Sequence, residues 1–382
     1  MPTKSDVSVE QAVIVPQSRL PGHIQALRRP EPLCRVSKFA FLIFDKTDLD
    51  QTQAFLTDFG LVTAKRTDQA LRMRGAGTTP FIYIARKAKK SRFVGMVFEV
   101  AHLGDLERLR QAGHAQASDI AAGYGGQAIK LIDPAGFEVH VICGMTPVEP
   151  MLWQRKEPLP SNQLGAKQRI NSALKPLLAP AQVLELSHCV MQVTNFAQMA
   201  DWYMRYLGLL PSDVQYLPDG SPNLAFFRLD IGTTPTDHHT VVIAGGIKNA
   251  YLHSAYEVLD IDAMGQGQQY LRAKGWRHAW GLGRHLIGSQ LFDYWFDPDG
   301  FELEHMADSD LLDNSIEPGY SPFDRKSLWM WGQDVPAHMA PPKNPIVIGR
   351  ILLSVIKGQL DVRRLKQIVH NMSQKPRSWI KS

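Results

Sequence analysis

The chain has 382 residues, 44% of them hydrophobic and 21% charged, a composition that supports two or three packed domains and excludes a disordered polypeptide. Its 42 Lys and Arg against 37 Asp and Glu leave a net charge of +5, too dilute over this length to indicate a nucleic-acid partner. The three scattered cysteines, Cys34, Cys143 and Cys189, are too few for a disulfide framework or a cysteine zinc site, so a reducing compartment, the cytoplasm, is expected.

The predicted elements begin with an N-terminal arm over residues 1–32, whose apolar run AVIVP is broken by Pro16. No segment of the chain approaches the ~20 apolar residues of a membrane helix, so neither a signal peptide nor a membrane partner is expected. Residues 33–146 form the first predicted domain. Alternating Phe39, Phe41 and Ile43 predict a strand, and Phe55 and Phe59 predict a helix that Gly60 ends. Residues 147–180 carry Pro147, Pro150, Pro158, Pro160, Pro176 and Pro180 and read as a linker wrapping the surface. The second predicted domain spans residues 181–310. Within it Val190 and Val193 mark a strand, and Met199, Tyr203 and Leu207 a helix before Gly208. Residues 311–382 form a tail with SLWMWG at 327–332 and two amphipathic helical patterns around Gly358. Three readings of that tail stand: a cap on its own subunit, a subunit contact, and a basic helix at a membrane surface.

The two domains are copies of one module. Residues 36–61 resemble 186–209, residues 93–109 resemble 251–271, and IDPAGFEVHV at 132–141 resembles FDPDGFELEHM at 296–306. Aligned this way, Lys38 falls under His188, Gly95 under His253 and His140 under Glu304. Only the second copy therefore holds two imidazoles and a carboxylate. A strand histidine alone is more often a satisfied core or edge residue than a ligand. The joint pattern changes that, because a Glu among Phe301, Leu303 and Met306 needs a partner, an unpaired buried carboxylate costing several kcal/mol. His188, His253 and Glu304 are the expected metal ligands, in the facial arrangement of non-heme Fe(II) oxygenases; Mn(II) fits the same donors.

At these residues the sequence resembles the vicinal oxygen chelate superfamily and, within it, the type I extradiol ring-cleaving dioxygenases. The resemblance runs from Val36 to Asp310 and is carried by GLGRHLIGSQLFDYWFDPDGFELEHM at 281–306. It implies an α+β fold of tandem βαβββ modules forming two cup-shaped mixed sheets, with the metal in the C-terminal cup. It further implies an Fe(II) cofactor, an aromatic diol and O2 as substrates, a homo-oligomer, and ring opening beside the hydroxyls to a muconic semialdehyde-type product. His239, His285 and Tyr294 are then the expected catalytic residues, His239 shuttling a proton and the other two binding the substrate oxygen. Period two sends His239 to the side of Val241 and Ile243 and His238 to the other, where it reads as a loop or edge histidine. Leu286, Ile287 and Gly288 stand where biphenyl-diol enzymes of the family carry polar residues, which argues against that substrate. The rival readings are another metal-dependent enzyme of the fold, acting on hydroquinone or gallate or as a glyoxalase-like isomerase, and a non-catalytic binding protein.

Overall fold

The computed structural model describes residues 15, 17–155, 157–175, 178–336, 339, 349 and 361–373. The first half runs β1 (Lys38–Lys46), α1 (Leu49–Asp58), β2 (Val62–Arg66), β3 (Ala70–Arg74), β4 (Tyr83–Lys87), β5 (Arg92–Val100), α2 (Leu103–Gln111), β6 (Gln116–Ser118), β7 (Gly125–Ile132) and β8 (Glu138–Met145). These strands make one eight-stranded sheet in the order β2-β3-β4-β1-β5-β8-β7-β6. That order contains two βαβββ units placed back to back, with β1 and β5 antiparallel at the join and each closing on a parallel partner, β4 and β8. A small hairpin, β9 (Asn162–Gln163) and β10 (Ala166–Lys167), lies in the segment joining the halves.

The second half repeats the plan with β11 (Leu186–Val193), α3 (Phe196–Leu207), β12 (Leu210–Tyr216), β13 (Pro222–Arg228), β14 (Thr236–Asp237), β15 (Val241–Gly245), β16 (Ala250–Glu257), α4 (Ile261–Ala273), β17 (Arg277–Arg284), β18 (Leu291–Phe296) and β19 (Glu302–Ala307). After it come β20 (Leu311–Leu312), β21 (Gly319–Pro322), β22 (Trp331–Gly332) and, in the tail, α5 (Val362–Ser373). The second sheet is ordered β21-β12-β13-β15-β11-β16-β19-β18-β17-β22. The fold is thus α+β, with tandem βαβββ modules in two mixed sheets.

Local chemistry sets the repeat. Asp48 caps α1 by accepting from the backbone N–H groups of Asp50 and Gln51, Asn195 caps α3 through Gln198, and Gly208 takes the left-handed conformation (φ 71°) that ends α3. The N-caps also fix the register. Asp48 and Asn195 are 147 positions apart, and the same shift carries Phe41, opposite Val97, onto His188, opposite Ala255. The counterpart of His188 is therefore Phe41 and not Lys38, whereas Gly95 and His140 do occupy the positions equivalent to His253 and Glu304 of the second copy.

One continuous core lies between the helical faces of both sheets, where α1 packs against the second half through Phe55 on Trp276 and Phe59 on Tyr256. The opposite faces differ. In the first cup Phe41, Ile43, Phe81, Val97 and Ile142 pack a second apolar cluster. At Gly95 an added Cβ would stand 1.8 Å from the carbonyl oxygen of Glu138. Of the three positions that carry ligands in the second copy, the first cup holds a donor only at His140, and that ring is engaged by Ser118 and Glu138.

Across the seam the amine of Lys46, fully buried, pairs with Asp297 and lies 3.1 Å from Asp299. Breaking a buried pair on one side costs about 3–5 kcal/mol because a charge is left uncompensated. Lys46→Met should lose about that much stability at pH 7 in chemical denaturation. Burial already raises the Asp297 carboxyl, and Lys46 opposes that rise. Without Lys46 the group protonates at higher pH, so the deficit should shrink as the pH falls. A deficit independent of pH would disprove this account.

The arm residues lie on the chain's own second half: Gln25 N–H donates to Gly220 and Leu27 N–H to the Tyr320 hydroxyl, at 2.9 and 3.0 Å. α5 does the same, Arg364 reaching the Pro222 carbonyl and Asn371 the Phe323 carbonyl. The described part of the tail is a cap on its own subunit, while the first amphipathic pattern, before Gly358, lies outside the described residues. No helix among the described residues is long and apolar enough to cross a membrane.

Candidate metal centre

A single row of residues crosses the cup face of the second sheet. His188 on β11 stands opposite Ala255 on β16, Ala255 beside Glu304 on β19, Glu304 opposite Tyr294 on β18, and Tyr294 opposite Trp280 on β17. His253 lies two residues before Ala255 on β16 and so shares its face. Ala255 is the smallest member of the row and leaves space between the larger side chains.

The donors converge there. Nitrogens of His188 and His253 and a carboxylate oxygen of Glu304 lie within 4.8 Å of one another, the one such grouping of metal-binding side chains among the described residues. Nε2 of His188 is 3.2 Å and Nε2 of His253 is 3.4 Å from Oε2 of Glu304. Glu304 is fully buried, yet neither of its oxygens has an aligned hydrogen-bond partner. Such an arrangement is expensive for a carboxylate and suits a cation. The residues present therefore fit a divalent metal with two imidazole ligands and one carboxylate.

Their protonation states fit as well. Burial pushes His253 down to about 3, Glu304 opposing, so its ring is neutral with a lone pair to offer. Burial acts to raise the Glu304 carboxyl, but the histidines around it, His188 foremost, outweigh that and hold the group well below the usual carboxylate range. Nδ1 of His188 lies 3.1 Å from the Ser187 hydroxyl, which in turn reaches Asp237. This contact holds the ring with Nε2 toward the centre, as outer hydrogen bonds do for metal-bound histidines.

Three further groups surround the donors. Nδ1 of His285 lies 2.6 Å from the carbonyl oxygen of Leu328, which has no proton to give, so Nδ1 carries the hydrogen and Nε2 is free to accept. Nε2 stands 3.0 Å from the Tyr294 hydroxyl and 3.6 Å from Oε1 of Glu304. Burial and then the charge of Glu304 push the Tyr294 phenol well above its ordinary value, so it keeps its proton and donates. Trp280, Phe292, Tyr294 and Trp329 form an apolar wall beside these groups. Trp329 is thus a packing residue of that wall, whereas Trp331 is exposed on β22.

His239 lies with its ring centroid 4.2 Å from that of His188. Burial, followed by the neighbouring histidines, holds it well below the ordinary histidine value. The strand alternation expected for this segment does not hold. Val241 and Ile243 face the helical core, the opposite side from the cup, because His238 and His239 precede β15 and run outside its ladder, with the His238 N–H given to Asp310. The same departure corrects the reading of His238 as a loop or edge residue: it is buried and hydrogen-bonded to His239 and Asp213. Asp213, Ser187 and Ala255 were not anticipated as site residues, since nothing in their own sequence neighbourhoods marks them.

With this geometry in view the chain can be set beside known proteins. Residues 185–305 match the Glyoxalase/Bleomycin resistance protein/Dioxygenase superfamily. The match covers this part of the chain only, and His188, His253 and Glu304 fall inside it. Metapyrocatechase 2 of Cupriavidus necator is 29% identical over 296 residues, covering 76% of this chain and 87% of that protein. The fold is shared with the Mn(II)-bound glyoxalase of Novosphingobium aromaticivorans, with a TM-score of 0.66 at 22% identity over 81% of this chain and 96% of that one. Homoprotocatechuate 2,3-dioxygenase of Brevibacterium fuscum, in an anaerobic complex with 3,4-dihydroxyphenylacetate, gives a TM-score of 0.66 at 17% identity over 82% of this chain and 94% of that one.

Proposed function

We propose that this protein is an extradiol dioxygenase, which opens the ring of a catechol-type diol beside its hydroxyls and places both atoms of O2 in a muconic semialdehyde-type product. The observation that carries the reading is the buried Glu304 carboxylate, without aligned hydrogen bonds and within reach of His188 and His253. The likeness to a metapyrocatechase over three quarters of the chain supports it. Fe(II) is the proposed metal, and the same donors accept Mn(II).

His188, His253 and Glu304 would hold the cation on one side and leave the other side open. A cation held there would supply Lewis-acid chemistry, acidifying the diol hydroxyls. The chain supplies the rest. His239, neutral and buried against His188, takes a hydroxyl proton and later returns it. Tyr294, whose hydroxyl donates to Nε2 of His285 in this structure, would turn that proton to the substrate oxygen when the diol enters. The wall of Trp280, Phe292 and Trp329 keeps water away and presents an apolar face to the ring.

Full-length protein loaded anaerobically with Fe(II) and then given catechol and O2 should consume one O2 per ring and form a yellow product. Loading with Mn(II) distinguishes the two metals. Absence of oxygen uptake with catechol, alkylcatechols, hydroquinone and gallate would sink the proposal.

A further inference from the structure

Two buried residues behind His239 have no part in the chemistry so far. Oδ2 of Asp213, on β12, stands 2.7 Å from Nε2 of His238, and Nδ1 of His238 stands 3.0 Å from Nδ1 of His239. All three side chains are buried. A carboxylate only accepts, so the proton of neutral His238 sits on Nε2 and its lone pair on Nδ1. That lone pair can accept only from a protonated Nδ1 of His239. His239 then keeps its own lone pair on Nε2, the nitrogen not engaged by His238.

The surroundings hold this chain of contacts in place. Gly288 approaches His238 so closely that a Cβ there would stand 3.0 Å from Nδ1 and 3.2 Å from Cγ. Its φ of 78° is one that favours glycine. Phe226 meets both imidazoles edge-on, at 5.5 and 5.1 Å between ring centroids. Gly288, in the segment that departs from the polar pattern of biphenyl-diol enzymes, thus packs on a histidine.

We propose that Asp213 and His238 are positioning residues that fix His239 in the tautomer whose Nε2 accepts a proton. The inference rests on the ring-cleavage reading for the use of that tautomer, and on geometry alone for its existence. In the reaction the diol O–H bond breaks and an N–H bond forms at Nε2 of His239. The positive charge that results is held through His238 against the Asp213 carboxylate. Return of the proton to the ring-opened product restores the neutral pair. The logic is that of a carboxylate orienting a catalytic imidazole, where replacing the acid by its amide leaves the wrong tautomer.

The test uses the full chain with 15N-labelled histidine, loaded with Zn(II) as a diamagnetic stand-in. Long-range 1H–15N correlations, with His239 assigned by difference from His239→Phe, should show its hydrogen on Nδ1. In Asp213→Asn the amide can donate to His238 and invert both rings, moving the His239 hydrogen to Nε2. The Fe(II)-loaded variant should keep its metal and lose about 100- to 10,000-fold in kcat, with KM changed by less than about threefold. His238→Phe, which removes both contacts but retains an aromatic ring, should show a similar loss in kcat. A hydrogen on Nε2 of His239 in the wild type would overturn the proposal, as would an unchanged kcat in Asp213→Asn. Should the wild type turn over no diol, the functional reading fails while the tautomer measurement still decides the relay. Should Asp213→Asn fail to fold, the wild-type tautomer decides alone.

Discussion

Glu304→Ala is expected to bind no iron and to cleave no ring while remaining folded. The side chain supplies the only carboxylate among the three converging donors, and two neutral imidazoles alone hold a divalent cation far more weakly than the full set. The carboxylate contacts only the histidines and tyrosine of the site, and neither of its oxygens makes an aligned hydrogen bond to the rest of the fold. The strand is held instead by its backbone ladder to β16 and β18 and by Leu303 and Ala307 in the core. The space left by the side chain is polar and can take water. Wild-type protein should gain about 2.7 kcal/mol of stability at a free metal concentration one hundred times its Kd, through binding to the native state alone. The variant should gain none. Iron measured at one per chain in Glu304→Ala, or an unfolding curve that still shifts with metal, would remove Glu304 from the ligand set.

The donor set was legible because the gene product carries its own control, a second copy of the module in which the same positions hold other residues. His253 against Gly95 and Glu304 against His140 follow from short motifs that a sequence comparison aligns without ambiguity. His188 against Lys38 does not. The strand VSKFAFLIF alternates in a way that several registers satisfy, and only the helix N-caps, Asp48 and Asn195, pin it to Phe41. His285 and Tyr294 could be placed because they lie on and beside a hairpin next to Glu304, so sequence spacing and spatial spacing agree. Asp213 lies 25 positions from His238, and their approach depends on the sheet order β12-β13-β15, which no local pattern encodes. The alternation argument for His239 failed for a related reason: period two holds within a hydrogen-bonded ladder, and the ladder of β15 begins two residues later.

His239→Phe is expected to keep its iron and lose about 100- to 10,000-fold in turnover, the range for a missing general acid or base. Retention of metal follows because His239 is not one of the three converging donors; it lies against the outer donor ring of His188. Phenylalanine matches the shape of the pocket, bounded by that ring and by Phe226, so the fold should accept it. What it cannot do is accept and return a proton. His285 cannot substitute, since its Nδ1 hydrogen is committed to Leu328 and its Nε2 to Tyr294. His238 could move toward the vacancy only by giving up Asp213, a 2.7 Å contact in a buried setting, where an unpaired carboxylate is costly. The measurement is kcat for oxygen uptake at matched iron content. An unchanged kcat would pass the proton-transfer role to His238 or to water and would take the relay of Asp213 and His238 down with it, since a relay to an idle histidine orients nothing.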